Sequence, residues 1–160
     1  MFSKNFMNNI NTSNFKKTLS KFGTGITVIC LNINDTIYGK TINSFSSLSL
    51  KPPLVLFSLD KKSSSINKYL KSKYLSINIL SSKQKKISIE FSKKNPNIKK
   101  IKFVKGLNNT ILLPNSIGNL ECIIENKIPQ GDHVIFICKV LKVSYNNKLK
   151  PLFYFNSKYC

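Results

Sequence analysis

Apolar and polar positions alternate in the manner of β-strands over most of this chain. Ile26 to Ile33 is rich in β-branched residues and runs into Asn34-Asp35, a turn pair, so Ile37 to Ile42 reads as the returning strand. Pro52-Pro53 breaks the chain before Leu54 to Leu59, a continuous apolar run typical of a strand buried on both faces. Leu75, Ile77 and Ile79 alternate with Tyr74, Ser76 and Asn78, a period of two. Further strands are predicted at Leu120 to Ile128, His133 to Tyr145 and Leu152 to Phe155, with turns at Gly131 and Asn146-Asn147.

Three short helices interrupt this pattern. The first is capped by Ser13 or Asn14, presents Phe15, Leu19 and Phe22 on one face, and ends at Gly23 and Gly25. Ser63 to Leu70 gathers Ile66, Tyr69 and Leu70 on one side, and Ser81 to Phe91 has a cap-like start with Ile87 and Phe91 four apart. Lys93 to Ser116 holds six lysines between Lys93 and Lys105, with Pro96, Gly106, Asn108-Asn109 and Pro114. It reads as a long surface excursion, bounded at 93–118, and the most mobile part of the molecule. The expectation is a mainly β fold, a barrel with short helices outside it, in one domain over 1–160 with its core in 12–160.

Composition narrows the reading. A chain of 160 residues, 41% of them hydrophobic, can bury a real core. No apolar run approaches the ~18 residues of a membrane span. Met1 to Asn14 is polar with one Lys, unlike a signal peptide. Cys30, Cys122 and Cys138 lie inside apolar runs, and no Cys pair or His cluster has metal-ligand spacing. Reduced thiols and no metal are expected, in a cytoplasmic protein without a membrane partner.

The net charge of +20 comes from 26 basic residues, all of them Lys, in a chain that also lacks Ala and Trp. Surfaces selected for nucleic acid recruit Arg, whose planar fork pairs with phosphate and guanine. The charge is therefore read as compositional drift on a solvated surface, with no specific nucleic-acid partner.

Several chemistries are absent. There is no G-x-G-x-x-G after a strand, no phosphate loop and no G-x-S-x-G elbow. The six acidic residues contain no close pair suited to hydrolysis. The informative stretch is Thr41-Ile42-Asn43-Ser44-Phe45-Ser46-Ser47-Leu48-Ser49, where the chain leaves a strand through hydroxyl and amide side chains. With backbone N–H groups these can form an anion-binding concavity. Composition alone favours the plainer reading, a polar crossover loop.

The order of motifs resembles the short-chain flavin reductases, FMN-binding split-barrel proteins that serve as reductase components of two-component monooxygenases. The matching pieces are Phe15-x-x-x-Leu19-x-x-Phe22-x-Thr24-Gly25-Ile26-Thr27-Val28 and Thr41-x-Asn43-Ser44-Phe45-x-Ser47-x-Ser49-Leu50-x-Pro52-Pro53-Leu54. Asp60-x-x-Ser63-Ser64, Ser76-Ile77-Asn78-Ile79-Leu80 and Gly131-Asp132-His133 follow in order.

The resemblance implies FMN or FAD as cofactor, NADH or NADPH as electron donor, a homodimer, and a monooxygenase partner. It places Thr41, Ile42, Asn43 and Ser44 along the ribityl and phosphate. Ser47, Leu48 and Ser49 meet the isoalloxazine edge. Leu59, Asp60, Ser63 and Ser64 close the phosphate end, where the start of a helix at Ser63 adds partial positive charge. Phe91 covers one side of the cofactor, and His133 approaches the nicotinamide or the flavin. No side chain is required as acid or base, because hydride transfer needs only two rings held face to face.

Two positions depart from the family pattern. Lys40 stands where an apolar residue is usual, and Tyr154-Phe155-Asn156-Ser157-Lys158-Tyr159 lacks the polar residue that relatives carry. The second puts nicotinamide docking in question. A flavoprotein that retains FMN for electron transfer, a non-catalytic flavin carrier and, more remotely, a basic nucleic-acid module remain as alternatives.

Overall fold

Asn34 and Asp35 both adopt positive φ, which fits the tight hairpin that the sequence marks there. In the computed structural model, which describes residues 10–160, this hairpin joins β2 (Thr27–Ile33) to β3 (Thr36–Ile42). The segment 1–9, where part of the polar N-terminal reading falls, lies outside the described residues. The other principal strands are β4 (Ser46–Leu50), β5 (Pro53–Asp60), β6 (Tyr74–Ile79), β9 (Gly118–Gln130) and β10 (His133–Tyr145). They form one antiparallel seven-stranded sheet in the order β3-β2-β6-β9-β10-β5-β4. The sheet curls, but β3 and β4 are its two edges and do not pair. Residues 43–45 cross that opening, so the barrel is split where the hydroxyl-rich stretch runs.

Smaller elements complete the fold. The short strand β1 (Thr24–Gly25) pairs with β11 (Phe153–Phe155), which pairs with β12 (Lys158–Tyr159), and β7 (Val104–Lys105) pairs with β8 (Ile111–Leu112). The helices are α1 (Thr12–Leu19), α2 (Ile66–Lys71) and α3 (Lys85–Ser92). Ser81 and Gln84 form a reciprocal capping box ahead of α3, as the cap-like start implied.

Both faces of the sheet are covered. Five successive residues of β2, Thr27 to Leu31, are buried. Ile29 and Leu31 point into the barrel with Phe57, Tyr69, Leu75, Ile77 and Phe136. Val28 and Cys30 point the other way, with Leu80, Phe91, Ile111, Leu113 and Leu152. Inside the barrel Phe57 stacks on Phe136, ring centroids 5.0 Å apart, and the Tyr69 hydroxyl of α2 donates to the Ile29 carbonyl at 2.9 Å.

Four expectations are corrected. In β5 only Val55, Phe57 and Leu59 are buried, while Leu54, Leu56 and Ser58 are half-buried; the doubly covered strands are β2 and β6. Helix α1 is capped by Asn11, whose side chain accepts from the Ser13 and Asn14 amides, and it ends at Ser20 without a left-handed glycine. None of its residues is buried: Phe15 and Leu19, and Phe22 in the turn after it, are all exposed. The 93–118 segment is not a free excursion. Ile98, Ile101 and Phe103 pack on the second core, and Thr110, Ile111, Leu113 and Ser116 are buried.

The hold on that segment is polar. Asn78 makes all four of its side-chain hydrogen bonds: Nδ2 to the Val28 carbonyl (3.0 Å) and Ser76 Oγ (3.1 Å), Oδ1 from the Leu113 amide (2.9 Å) and Asn119 Nδ2 (2.8 Å). Ser76 Oγ donates to the Ile111 carbonyl. The buried Glu121 carboxylate accepts from Thr110 Oγ1 at 2.5 Å and from the Leu107 amide, with Lys142 Nζ 3.8 Å away. Ser76 and Asn78 thus face a second layer rather than water.

Candidate functional site

The split between β3 and β4 opens into a cleft of about 340 Å³, lined by residues of β3, the crossing loop, the β5 end and His133. Thr41, Ile42, Asn43 and Ser44 enter it from the β3 side. Leu59, Asp60 and Ser63 enter from the other side, and His133 closes the end. The structure therefore brings together eight of the residues expected at one site. Lys40, Ser58 and Lys62 line the same cleft. Lys62 was invisible to sequence reasoning because one lysine among 26 carries no signal; its place two residues after a turn-forming Asp was the available clue.

Local chemistry explains how these groups are presented. Asp60 Oδ1 accepts the Lys62 amide at 2.7 Å and the Asp60 carbonyl accepts the Ser63 amide at 3.0 Å, an Asp-initiated turn. This turn docks on the neighbouring β9–β10 turn: the Lys61 amide donates to the Asp132 carbonyl (2.9 Å) and Lys61 Nζ to the Gly131 carbonyl (2.6 Å). Gly131 sits at φ +56°, a backbone conformation that L side chains seldom adopt. His133 then opens β10 opposite Asp60. Its Nδ1 lies 2.7 Å from Asp132 Oδ1. The hydrogen bond from His133, and then its charge, hold the Asp132 carboxyl below its ordinary value.

Two hydroxyls are already committed. Thr41 Oγ1 donates to the Ser88 carbonyl at 2.6 Å, fixing β3 to α3. Ser44 Oγ donates to the Ser58 carbonyl (2.9 Å) and accepts the Ser58 amide (3.1 Å), tying the crossing loop to β5. Both hold the cleft's shape and offer a ligand acceptor lone pairs at most. Among the described residues, the Asn43 amide and the Lys62 ammonium have no hydrogen-bond partner, and Ser63 Oγ has only Ser65 Oγ at 3.4 Å. These free or nearly free donors in the cleft lining suit a phosphorylated ligand.

Other expected residues lie elsewhere. Ser47, Leu48 and Ser49 are on β4, where the pairing with β5 shifts register at Leu48, and they do not line the cleft. Leu48 and Leu50 are exposed on this edge strand. Ser64 faces a neighbouring cleft. The helix expected at Ser63 begins only at Ile66 and is six residues long, so Ser63 and Ser64 stand in the turn before it and its start contributes no anion site. Phe91 is fully buried, with its ring against Gly39 and Phe103, and cannot cover a ligand.

With this geometry in hand, the relationships to known proteins are clear. The family model described as Flavin reductase like domain matches residues 19–160, and the chain belongs to that family. It is 33% identical over 154 residues to the flavin-dependent monooxygenase reductase subunit HsaB of Mycobacterium tuberculosis, covering 91% of this chain and 80% of that one. It is 29% identical over 137 residues to the FMN reductase (NADH) SmoA of Agrobacterium fabrum, covering 86% and 79%. Among solved structures, flavin reductase PheA2 in its native state superposes with a TM-score of 0.87 at 32% identity, covering 94% of this chain and 97% of that one. The fold expected from the motif order, a split barrel with short flanking helices, is the one observed.

Proposed function

We propose that this protein is an NAD(P)H-dependent flavin reductase that binds FMN or FAD and supplies reduced flavin to a monooxygenase partner. The observation that carries the reading is the cleft at the barrel split. Unpartnered donors line it, within a chain of the flavin reductase family. Relatives named as reductase components of two-component monooxygenases support the partner.

A bound flavin would supply the redox chemistry, accepting a hydride from nicotinamide. The chain's own residues bind and orient. Asn43, Lys62 and Ser63 are the groups that hold a phosphate, and Thr41 and Ser44 fix the two walls. His133, oriented by Asp132, donates to the nicotinamide carboxamide or to a phosphate. Ser47, Leu48 and Ser49 remain assigned to the isoalloxazine edge. They lie outside the cleft on β4, and the ring would have to meet them at that strand's open edge, on the far side from β5.

We assign a homodimer as the working form. The apolar side chains of α1, the turn after it and the tail, with Leu19 56%, Phe22 77% and Phe153 51% exposed, and Leu50 at 89% on β4, support a second copy covering them. Free cysteines support a reducing compartment, the cytoplasm. No helix among the described residues is long and apolar enough to cross a membrane.

The test is NADH and NADPH oxidation with FMN, with FAD and with no added flavin. Oxidation that depends on added flavin and yields reduced flavin is the expected result. Flavin binding without oxidation of either nicotinamide would make the protein a carrier, and no flavin binding at all would overturn the reading.

A further inference from the structure

Two clefts of about 490 Å³ and 440 Å³ lie along α3 and share Ile87, Lys100 and Ile101, so they form one groove between α3 and residues 97–102. Neither shares a residue with the cleft at the barrel split. The floor of the groove is aliphatic: Ile87, Ile101, Pro114 and Leu149, each half-buried. Its rim is Lys83, Lys86, Lys100 and Lys102, all exposed.

Hydrogen bonds fix the walls. Gln84 Nε2 donates to the Pro114 carbonyl at 3.0 Å, and the Ser82 amide donates to the Lys150 carbonyl at 2.8 Å. The Asn97 amide donates to Glu90 Oε1 at 2.6 Å, which ties the 97–102 wall to α3. A groove held open in this way costs little to order on binding. Glu90 is the one carboxylate in the lining, and its other oxygen is paired with Lys93 at 2.6 Å. Among the described residues the four rim lysines have no carboxylate partner and sit over no aromatic ring. Four ammonium groups around an apolar floor repel each other, and an anionic occupant relieves that repulsion.

We propose that this groove docks an acidic segment of a partner protein, with an aliphatic side chain on the floor and carboxylates at the lysine rim. Single-stranded nucleic acid is held by aromatic rings on which its bases stack, and the lining contains none. A second copy of this chain lacks the complementary charge, with 26 Lys against six acidic residues. From Lys83 to Glu90 the groove follows α3 for about 10 Å, the length of about three extended residues. The motif it reads is therefore short, an apolar residue between acidic ones. The proposal does not depend on the flavin reductase reading, since the groove stands apart from that cleft.

The test is fluorescence anisotropy at physiological salt with the full-length protein and three probes: a dye-labelled peptide alternating Glu with Leu, its counterpart alternating Glu with Ser, and a single-stranded DNA oligonucleotide. Two charge-reversal variants are compared with the wild type. Lys83→Glu/Lys100→Glu lies in the groove, and Lys51→Glu/Lys139→Glu makes the same change of charge in the β4–β5 turn and on β10. All four lysines are exposed, so both variants should fold, and thermal unfolding checks this. Binding of the Glu/Leu peptide in preference to Glu/Ser, weakened about tenfold or more by the groove variant and less than about twofold by the distant one, supports the site. Absence of Glu/Leu binding overturns the proposal. Equal binding of Glu/Ser also overturns it, because the floor then contributes nothing. Equal weakening by the two variants would trace the binding to net charge, and tighter binding of the oligonucleotide that the groove variant abolishes would make this a nucleic-acid site; either result overturns the proposal. Loss of the flavin reductase reading would register separately, as absent flavin binding and reduction.

Discussion

Two polar regions of this molecule have opposite fates. Around Asn78 every side-chain donor and acceptor is used, and the polar groups stitch residues 107–113 onto the sheet. At the barrel split the shaping groups, Thr41 and Ser44, are satisfied by carbonyls, while Asn43 and Lys62 at the rim are left without partners. Both regions look alike in sequence: short Ser, Thr and Asn side chains between apolar runs. What separates them is whether a second layer of chain covers them. Buried polar groups must be matched internally, because leaving one bare costs about 1–3 kcal/mol. Half-exposed groups in a concavity can wait for a ligand at little cost, since water serves them meanwhile.

The closed region should exclude reagents almost completely. Burial pushes the Cys30 thiol, beside Ser76, up to about 12 and does the same to Cys122; Cys138 is pushed up as well. At pH 8 roughly one in ten thousand of a thiol at pKa 12 is thiolate, the reactive form. A thiol-disulfide reagent should therefore titrate the exposed Cys160 alone in the native protein and all four cysteines after denaturation. Rapid reaction of a second thiol in the native state would show that the covering layer opens. Asn78→Ala should cost about 2–5 kcal/mol, because the Leu113 amide and the Asn119 side chain lose their acceptor in a buried setting. Denaturant unfolding measures this, and a loss below about 1 kcal/mol would mean that water or neighbours replace the amide.

The contrast also explains what sequence could tell. Hairpin turns were legible at Asn34-Asp35 and Gly131 because the backbone there needs positive φ and the sequence supplies residues that tolerate it. The cleft was legible as a motif in Thr41 to Ser44, Asp60, Ser63 and His133. The roles of those residues were not, since a hydroxyl's partner depends on which strand lies alongside. Ser44 faces Ser58, fourteen residues on, and Thr41 faces Ser88. Phe91 illustrates the same limit: an aromatic at helical spacing serves a ligand or a core, and Gly39, by leaving room for the ring, decides for the core. The 93–118 segment reads as an excursion because lysines dominate its first half, yet Ile98, Ile101 and Phe103 there and Ile111 and Leu113 further on anchor it to the second core.

The open region should respond in the reverse sense. Asn43→Ala with Lys62→Ala removes two exposed donors, so stability should change by no more than about 0.5 kcal/mol. Flavin affinity should fall about tenfold or more, since each hydrogen bond to a charged group contributes about 1.5–3 kcal/mol. Fluorescence titration with FMN checks the affinity and thermal unfolding checks the fold. Unchanged affinity in the folded variant would remove these two donors from the site. A large loss of stability would erase the distinction between the two regions.

The smallest effect concerns the Asp132–His133 pair at the rim of the same cleft. His133 holds the Asp132 carboxyl below its ordinary value, chiefly by the hydrogen bond and then by charge. A carboxylate depressed in the folded state takes up its proton later than in the unfolded chain as pH falls. Its contribution to stability is thus fully present above the unfolded value of about 4 and disappears as pH falls through the lower folded value. Asp132 is fully exposed, so solvent screens the pair and the effect is small. Asp132→Asn should therefore lower Tm slightly above about pH 5, and the difference should shrink as pH falls through the lowered folded value. Added salt should shrink the difference. A Tm difference that does not shrink as the solution is acidified would mean that Asp132 acts through the β9–β10 turn's backbone geometry and not through its charge on His133.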